Sequence, residues 1–302
     1  MKRLLIVCAD DFGLDTAVNE AVETAHRDGV LTCASLMVGA PAADDAVARA
    51  RRLPGLRVGL HLVLVEGRPT ASSAAIAALV DHDGAFDSRM VRAGFRFFFL
   101  PQLRRQLAIE IRAQFEAFRA TGLELDHVNA HKHMHLHPTV AGLIVAIGRD
   151  YGLSAMRVPA EPEAPLRHAG AVRSFPQRIA ATLLGLWVEL LRWRLRRAGV
   201  VVNDHLFGIA WSGAMTEARV LDLLPHMPDG VSEIYFHPAS TPSVALARTM
   251  PDYRHAEELA ALVSPAVRRR IVETGIDLIS YRDLLAAGPS RAGSTTSVQN
   301  ST

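Results

Sequence analysis

Residues 4–13 read Leu-Leu-Ile-Val-Cys-Ala-Asp-Asp-Phe-Gly, a continuous apolar run that breaks on two adjacent carboxylates and a glycine. An apolar run this short, bounded by a turn signal, is the pattern of a strand buried on both faces. It stops too soon for the ~7–15-residue apolar core and small-residue cleavage site of a signal peptide. Working outward, Thr16 to Asp28 carries helical periodicity through Ala17, Ala21, Val22 and Ala25, and Gly29 ends it. Leu31 to Val38 predicts a second strand, Asp44 to Arg52 a second helix, and Leu56 to Leu64 a third strand carrying His61. Strand–helix alternation of this kind argues for a parallel sheet or barrel.

Further along, Asp81 to Pro101 is less regular, and Pro101 to Thr121 is helical. Leu123 to Asn129 predicts a strand that delivers His-Val-Asn-Ala-His-Lys-His-Met-His-Leu-His-Pro at 127–138. In extended backbone, side chains two apart share a face, so His131, His133, His135 and His137 are expected to line one side of a strand end. Neutral imidazole is the commonest protein metal ligand, and a run of this density predicts a metal site fed by one or two of them. Thr139 to Tyr151 is helical, Ala155 to Pro159 a strand with Arg157, Val231 to His237 another strand, Ala256 to Glu273 a helix, and Ile276 to Tyr281 the last strand. Residues 161–210 read as an insertion and 288–302 as a disordered tail. Asp10, Asp11, His61, the histidine run, Arg157 and His237 all fall at the C-terminal ends of predicted strands. In parallel α/β folds, active sites assemble there.

Composition narrows the field. The chain has 302 residues, 49% hydrophobic and 21% charged, as in a well-cored globular protein. A net charge of +2 gives no general argument for nucleic acid. The two cysteines, Cys8 and Cys33, sit in apolar runs and read as buried thiols outside any disulfide framework. No apolar stretch reaches the ~18 residues a spanning helix needs, so a cytoplasmic protein is expected. Phe175 to Gly199 interleaves Leu and Trp187 with Arg178, Arg192, Arg194, Arg196 and Arg197, and Arg92 to Arg105 is a second basic, Phe-rich cluster. Such stretches are core helices with a solvated basic face, oligomer interfaces, or amphipathic helices on anionic lipid.

Asp10-Asp11-Phe12-Gly13, Gly59-Leu60-His61-Leu62, the 127–138 block and Phe236-His237-Pro238 together resemble the YdjC-like, chitooligosaccharide deacetylase-type family of metal-dependent carbohydrate deacetylases. The histidine block is most similar to its hopanoid-biosynthesis branch, HpnK. The resemblance implies a distorted TIM-like (β/α) barrel over residues 1–287, with the insertion at about 161–210. It implies hydrolytic removal of acetyl from an N-acetylglucosaminyl (GlcNAc) group on a hopanoid glycolipid, or on soluble chitooligosaccharides. Its metal ligands fall on Asp11, His61 and His131, its general base on Asp10, and a proton-donating pocket position on His237. Where many members carry Asp, two residues before His131, this chain has Asn129. Arg157, His133 and His135 are expected against substrate, with Arg157 holding either substrate or a carboxylate.

One divalent ion is the expected cofactor, magnesium or zinc before others. A His2Asp set also suits Mn, Co or Fe, and Mg less comfortably because it prefers oxygen ligands. Peripheral contact with the inner face of the cytoplasmic membrane and a homodimer are compatible with the basic apolar clusters. A metal-dependent phosphoesterase and a non-catalytic membrane-associated partner of a glycosyltransferase are the competing readings.

Overall fold

Alternation along Arg3–Phe12 sorts the side chains of the first strand. Leu5, Val7 and Ala9 pack into the large apolar cluster beneath the helices, while Ile6 and Cys8 join Cys33, Ala155 and Tyr281 in a separate buried cluster. A computed structural model describes residues 2–171 and 175–287, with the backbone alone at 175–183. Around β1 (Arg3–Phe12) lie β2 (Cys33–Leu36), β3 (Arg57–Leu62), β4 (Leu125–Ala130), β5 (His205–Phe207), β6 (Gly230–Phe236) and β7 (Ile276–Leu278). The sheet order is β4-β3-β2-β1-β6-β5, every pair is parallel, and β7 docks on β1. Between the outer strands β4 and β5, Ala155 and Met156 bridge to Val201 and Val128. The result is a curled parallel half-barrel wrapped by helices, the distorted TIM-like architecture expected from the sequence.

The helices are α1 (Thr16–Asp28), α2 (Ala43–Arg51), α3 (Met90–Phe99), α4 (Pro101–Ala120), α5 (Pro138–Gly148), α6 (Glu163–His168), α7 (Phe175–Arg197), α8 (Glu217–Leu223), α9 (Val244–Thr249), α10 (His255–Val263), α11 (Pro265–Glu273) and α12 (Tyr281–Ala286). Four expectations are corrected. The irregular stretch before Pro101 contains α3, which buries only Ala93 and Phe97. Ala155 to Pro159 makes only bridging contacts at its first two residues. The helix expected over 256–273 is two, because Pro265 has no N–H to continue α10, and the Ser264 hydroxyl instead accepts from Ala266 and Val267 to start α11. Residues 161–210, expected as an insertion, include β5, which pairs with β6 in the sheet. The tail at 288–302 lies outside the described residues, and no helix among those described is long and apolar enough to cross a membrane.

Candidate metal centre and catalytic cleft

Two adjacent strand residues normally point to opposite faces. Here the β1–β2 ladder is irregular between Ala9 and Phe12, and Asp11 takes a left-handed φ of 62°. Asp tolerates that region better than most residues because its short side chain can bond locally. The chain therefore turns at Asp11 itself, and the turn is closed by Leu14 N–H donating to Asp11 O at 2.9 Å. It brings Asp10 and Asp11 together. The cap of α1 is Asp15, so Asp10 is free of that duty.

Asp11 Oδ1 lies 3.2 Å from His61 Nε2 at the end of β3 and 3.1 Å from His131 Nδ1 just beyond β4. Among the described residues these three form a group whose ligand atoms all lie within 4.8 Å of one another. Asp11 Oδ2 and His61 Nε2 are buried without a hydrogen-bond partner. Orphaned buried polar atoms are costly and demand an explanation, and a cation between them supplies one. His61 Nδ1 donates to Asn129 Oδ1 at 2.7 Å, which turns the Nε2 lone pair toward Asp11. Asn129 also donates to Asp10 at 3.1 Å and to Ser35 at 2.9 Å. A carboxylate at 129 could accept from His61 but could not donate to Asp10. Burial opposes charge on His131, but the Asp11 and Glu66 carboxylates override it and raise its pKa to about 9.

Asp10 is held from the other side. Arg157, wholly buried, donates to both carboxylate oxygens at 2.6 and 2.9 Å and to Glu233 Oε1 at 2.6 and 2.9 Å. Tyr281 caps the far Glu233 oxygen at 2.6 Å, and the guanidinium lies 5.0 Å from the Tyr235 ring centre. Burial alone would raise the Asp10 carboxyl, but the charges of Arg157 and His61 hold it well below the usual carboxylate range. Arg157 thus holds a carboxylate and does not reach the cleft.

The histidine run does not continue the strand. It folds as a 3-10 turn, His131–Leu136, with Lys132 and His133 left-handed at φ 51° and 53°. The alternation expected of an extended chain is lost, and the four imidazoles part company. His131 joins Asp11. His133 faces the cleft and meets Tyr235 OH at 3.3 Å; burial and then Arg157 lower it to about 3. His135 is completely buried, with neither ring nitrogen partnered, and His137 sits against Phe97 and Phe98 of α3.

A cleft of about 400 Å³ opens over Asp10, His61, His131 and His133, with His237 and Tyr253 opposite and Met90 and Ile209 on its lip. Burial pushes His237 down to about 4, so it is neutral at neutral pH, and its Nδ1 has no partner. Its backbone N–H donates to Glu258, whose carboxyl burial raises to about 7. Glu66, Glu233, Tyr235 and Glu258 were not legible as site residues. Glu66, left-handed before Gly67, reaches Lys132 and His131 with its carboxylate, contacts distant in sequence.

Residues 4–273 match the model of the YdjC-like protein family. A carbohydrate deacetylase of Geobacillus stearothermophilus is 30% identical over 285 residues, covering 94% of this chain and 98% of the relative. One from Brevibacillus brevis is 27% identical, covering 93% and 99%. A crystal structure from Enterococcus faecalis V583, provisionally described as a cellobiose-phosphate cleavage protein, superposes with a TM-score of 0.73 at 26% identity, covering 94% of this chain and 99% of that one.

Removing one partner of a buried ion pair leaves an uncompensated charge and costs about 3–5 kcal/mol. Arg157→Met should therefore lower the melting temperature by roughly 10 °C, and Arg157→Lys by less. The Asp10 pKa is lowered on folding, so this stabilisation is complete above the ordinary carboxylate pKa, 3.8, and is lost as pH falls through the folded value. Equal melting temperatures for Arg157→Met and the parent at pH 7 would refute the pair's structural role.

Proposed function

The chain belongs to the YdjC-like family, and on that premise we propose that it is a metal-dependent carbohydrate N-deacetylase. Its proposed substrate is the GlcNAc unit of a hopanoid-type glycolipid. The observation that carries the chemistry is the Asp11–His61–His131 group, whose two histidines line one cleft together with an ionised Asp10. Its two imidazoles and one carboxylate, with orphaned lone pairs converging, fit a divalent ion such as zinc. When bound, that ion supplies Lewis acidity, polarising the acetamide carbonyl and acidifying water.

The protein's own residues do the rest. Asp10, fixed by Arg157 and Asn129, stays anionic and accepts a proton from the attacking water. Its low basicity suits a base that acts only on water already acidified. The water oxygen bonds to the acetyl carbon, the C–N bond breaks, and the departing nitrogen must be protonated. His237, neutral at rest, takes up the proton that the water gave to Asp10 and delivers it to that nitrogen, so Asp10 ends anionic again and the products are a free amine and acetic acid, which ionises to acetate. Tyr235 remains protonated, because burial raises its pKa above the ordinary phenol value, and lines the cleft as a hydroxyl donor. A two-metal phosphoesterase is less well supported: among the described residues one candidate ligand group borders this cleft.

The glycolipid reading rests on the cleft's lip. Helix α3 contributes Met90 to the cleft and exposes Val91, Phe95, Phe98 and Phe99, the last at 66%. Beside the histidine turn, Trp187 of α7 donates to Leu136 O at 2.7 Å, and α7 exposes Leu186 and Trp193. Leu191 is core, so the lipid-facing residues of α7 are those outer ones. With the arginines around them, these helices suit peripheral contact with an anionic cytoplasmic membrane face.

Asp10→Asn should retain metal and fold yet lose roughly 10²–10⁴ in acetate release. Near-normal turnover would return Asp10 to a purely structural partnership with Arg157. Phe95→Ser/Phe99→Ser/Leu186→Ser should weaken binding to anionic vesicles and turnover of GlcNAc-hopanoid, while diacetylchitobiose is still deacetylated. Equal loss on both substrates would make these residues structural, and loss on neither would favour a soluble oligosaccharide.

A further inference from the structure

Two residues before Asp10, on the same side of β1, Cys8 faces Cys33 directly across the parallel ladder, and the side chains share a face. His127 of β4 approaches both, and all three are completely buried beneath the cleft floor. Cys8 Sγ lies 3.7 Å from His127 Nε2, and Ser35 Oγ is 3.3 Å from Cys8 Sγ and 3.0 Å from His127 Nε2. The two sulfurs and one ring nitrogen lie within 4.8 Å of one another. Zinc–sulfur and zinc–nitrogen bonds of ~2.3 and ~2.0 Å place neighbouring tetrahedral ligands roughly 3.3–3.8 Å apart. A small contraction closes the set.

The surroundings point the same way. Asp126 Oδ2 sits 2.8 Å from His127 Nδ1, and Asp126 Oδ1 accepts from Arg282 N at 2.9 Å. A carboxylate behind the ring is the outer partner that zinc-binding histidines carry: it accepts a hydrogen bond from Nδ1–H and so turns the Nε2 lone pair on the metal. Cys33 Sγ contacts Val7 O at 3.8 Å and otherwise faces Cys8. Nothing in the proposed deacetylation uses these side chains.

We propose that Cys8, Cys33 and His127, with Ser35 Oγ as the nearest fourth donor, form a buried thiolate site for one zinc ion, separate from the Asp11 group. Two thiolates balance the dication, so the filled site is neutral, as a sealed interior requires. Loading releases the two thiol protons and takes place as the chain folds, because no path from solvent reaches the finished site. Ser35 accepts from Asn129, and Asn129 accepts from His61, so a filled site also fixes the ring of a cleft ligand.

The test is zinc content after folding in zinc-containing medium and exhaustive dialysis against EDTA. The cleft ion, open to solvent, should be stripped while one equivalent remains. Asp11→Ala should keep that equivalent, and its zinc-edge absorption spectrum should show two sulfur neighbours at ~2.3 Å; this needs no cysteine replacement to fold. Cys33→Ala should lose the retained equivalent yet still take up the cleft ion from added zinc. Zinc-free protein after EDTA with both thiols titratable on denaturation overturns the proposal, as does a Cys8–Cys33 disulfide or a retained zinc with only nitrogen and oxygen neighbours.

Discussion

Arg157 is the interaction on which the rest of this barrel depends. A guanidinium with no solvent exposure is tolerable only because Asp10 and Glu233 satisfy it from either side. The same contacts tie together three strands' worth of structure: Asp10 at the end of β1, Glu233 within β6, and the bridging segment after β4. Tyr281, at the start of α12, closes the network from below. Fixing Asp10 in this way leaves the neighbouring Asp11 to turn outward through its left-handed φ, toward His61 and His131. One residue thus both holds the sheet together and sets the charge of the cleft.

Much of this was legible before any coordinates. The apolar run ending at Asp10-Asp11 became β1, the periodicity of Thr16–Asp28 became α1 with those bounds, and polar residues ending several strands foretold where the cleft lies. What was not legible is set by contacts distant in sequence. The 3-10 turn at His131–Leu136 is held by Lys132 against Glu66 and by Trp187 on Leu136, so alternation in the sequence could not reveal it. Arg157 offered no local sign of whether it would face substrate or a carboxylate, because Glu233 and Asp10 are 76 and 147 residues away. The helix at Met90–Phe99 escaped because most of its apolar residues stay exposed and give no core-facing stripe.

That exposed helix, the cleft and the buried thiols form three layers of one molecule. On the proposed reading, the lip of Phe and Leu side chains meets a substrate anchored in lipid, and the cleft gathers the groups that would hydrolyse its amide. The inner face of the strands beneath carries donors of a softer kind. Asn129 and Ser35 connect the last two layers by hydrogen bonds, so the geometry of His61 depends on what occupies the barrel beneath it.

The central claim is that Asp11, His61 and His131 hold the ion that activates the acetamide. Anomalous diffraction at the zinc edge, from crystals grown with zinc, tests it most directly. The account predicts a peak about 2.0–2.2 Å from an Asp11 carboxylate oxygen, His61 Nε2 and a ring nitrogen of His131. A cleft without a peak, or one whose ion is held by His133, His135 or His237 in place of these three, would contradict it.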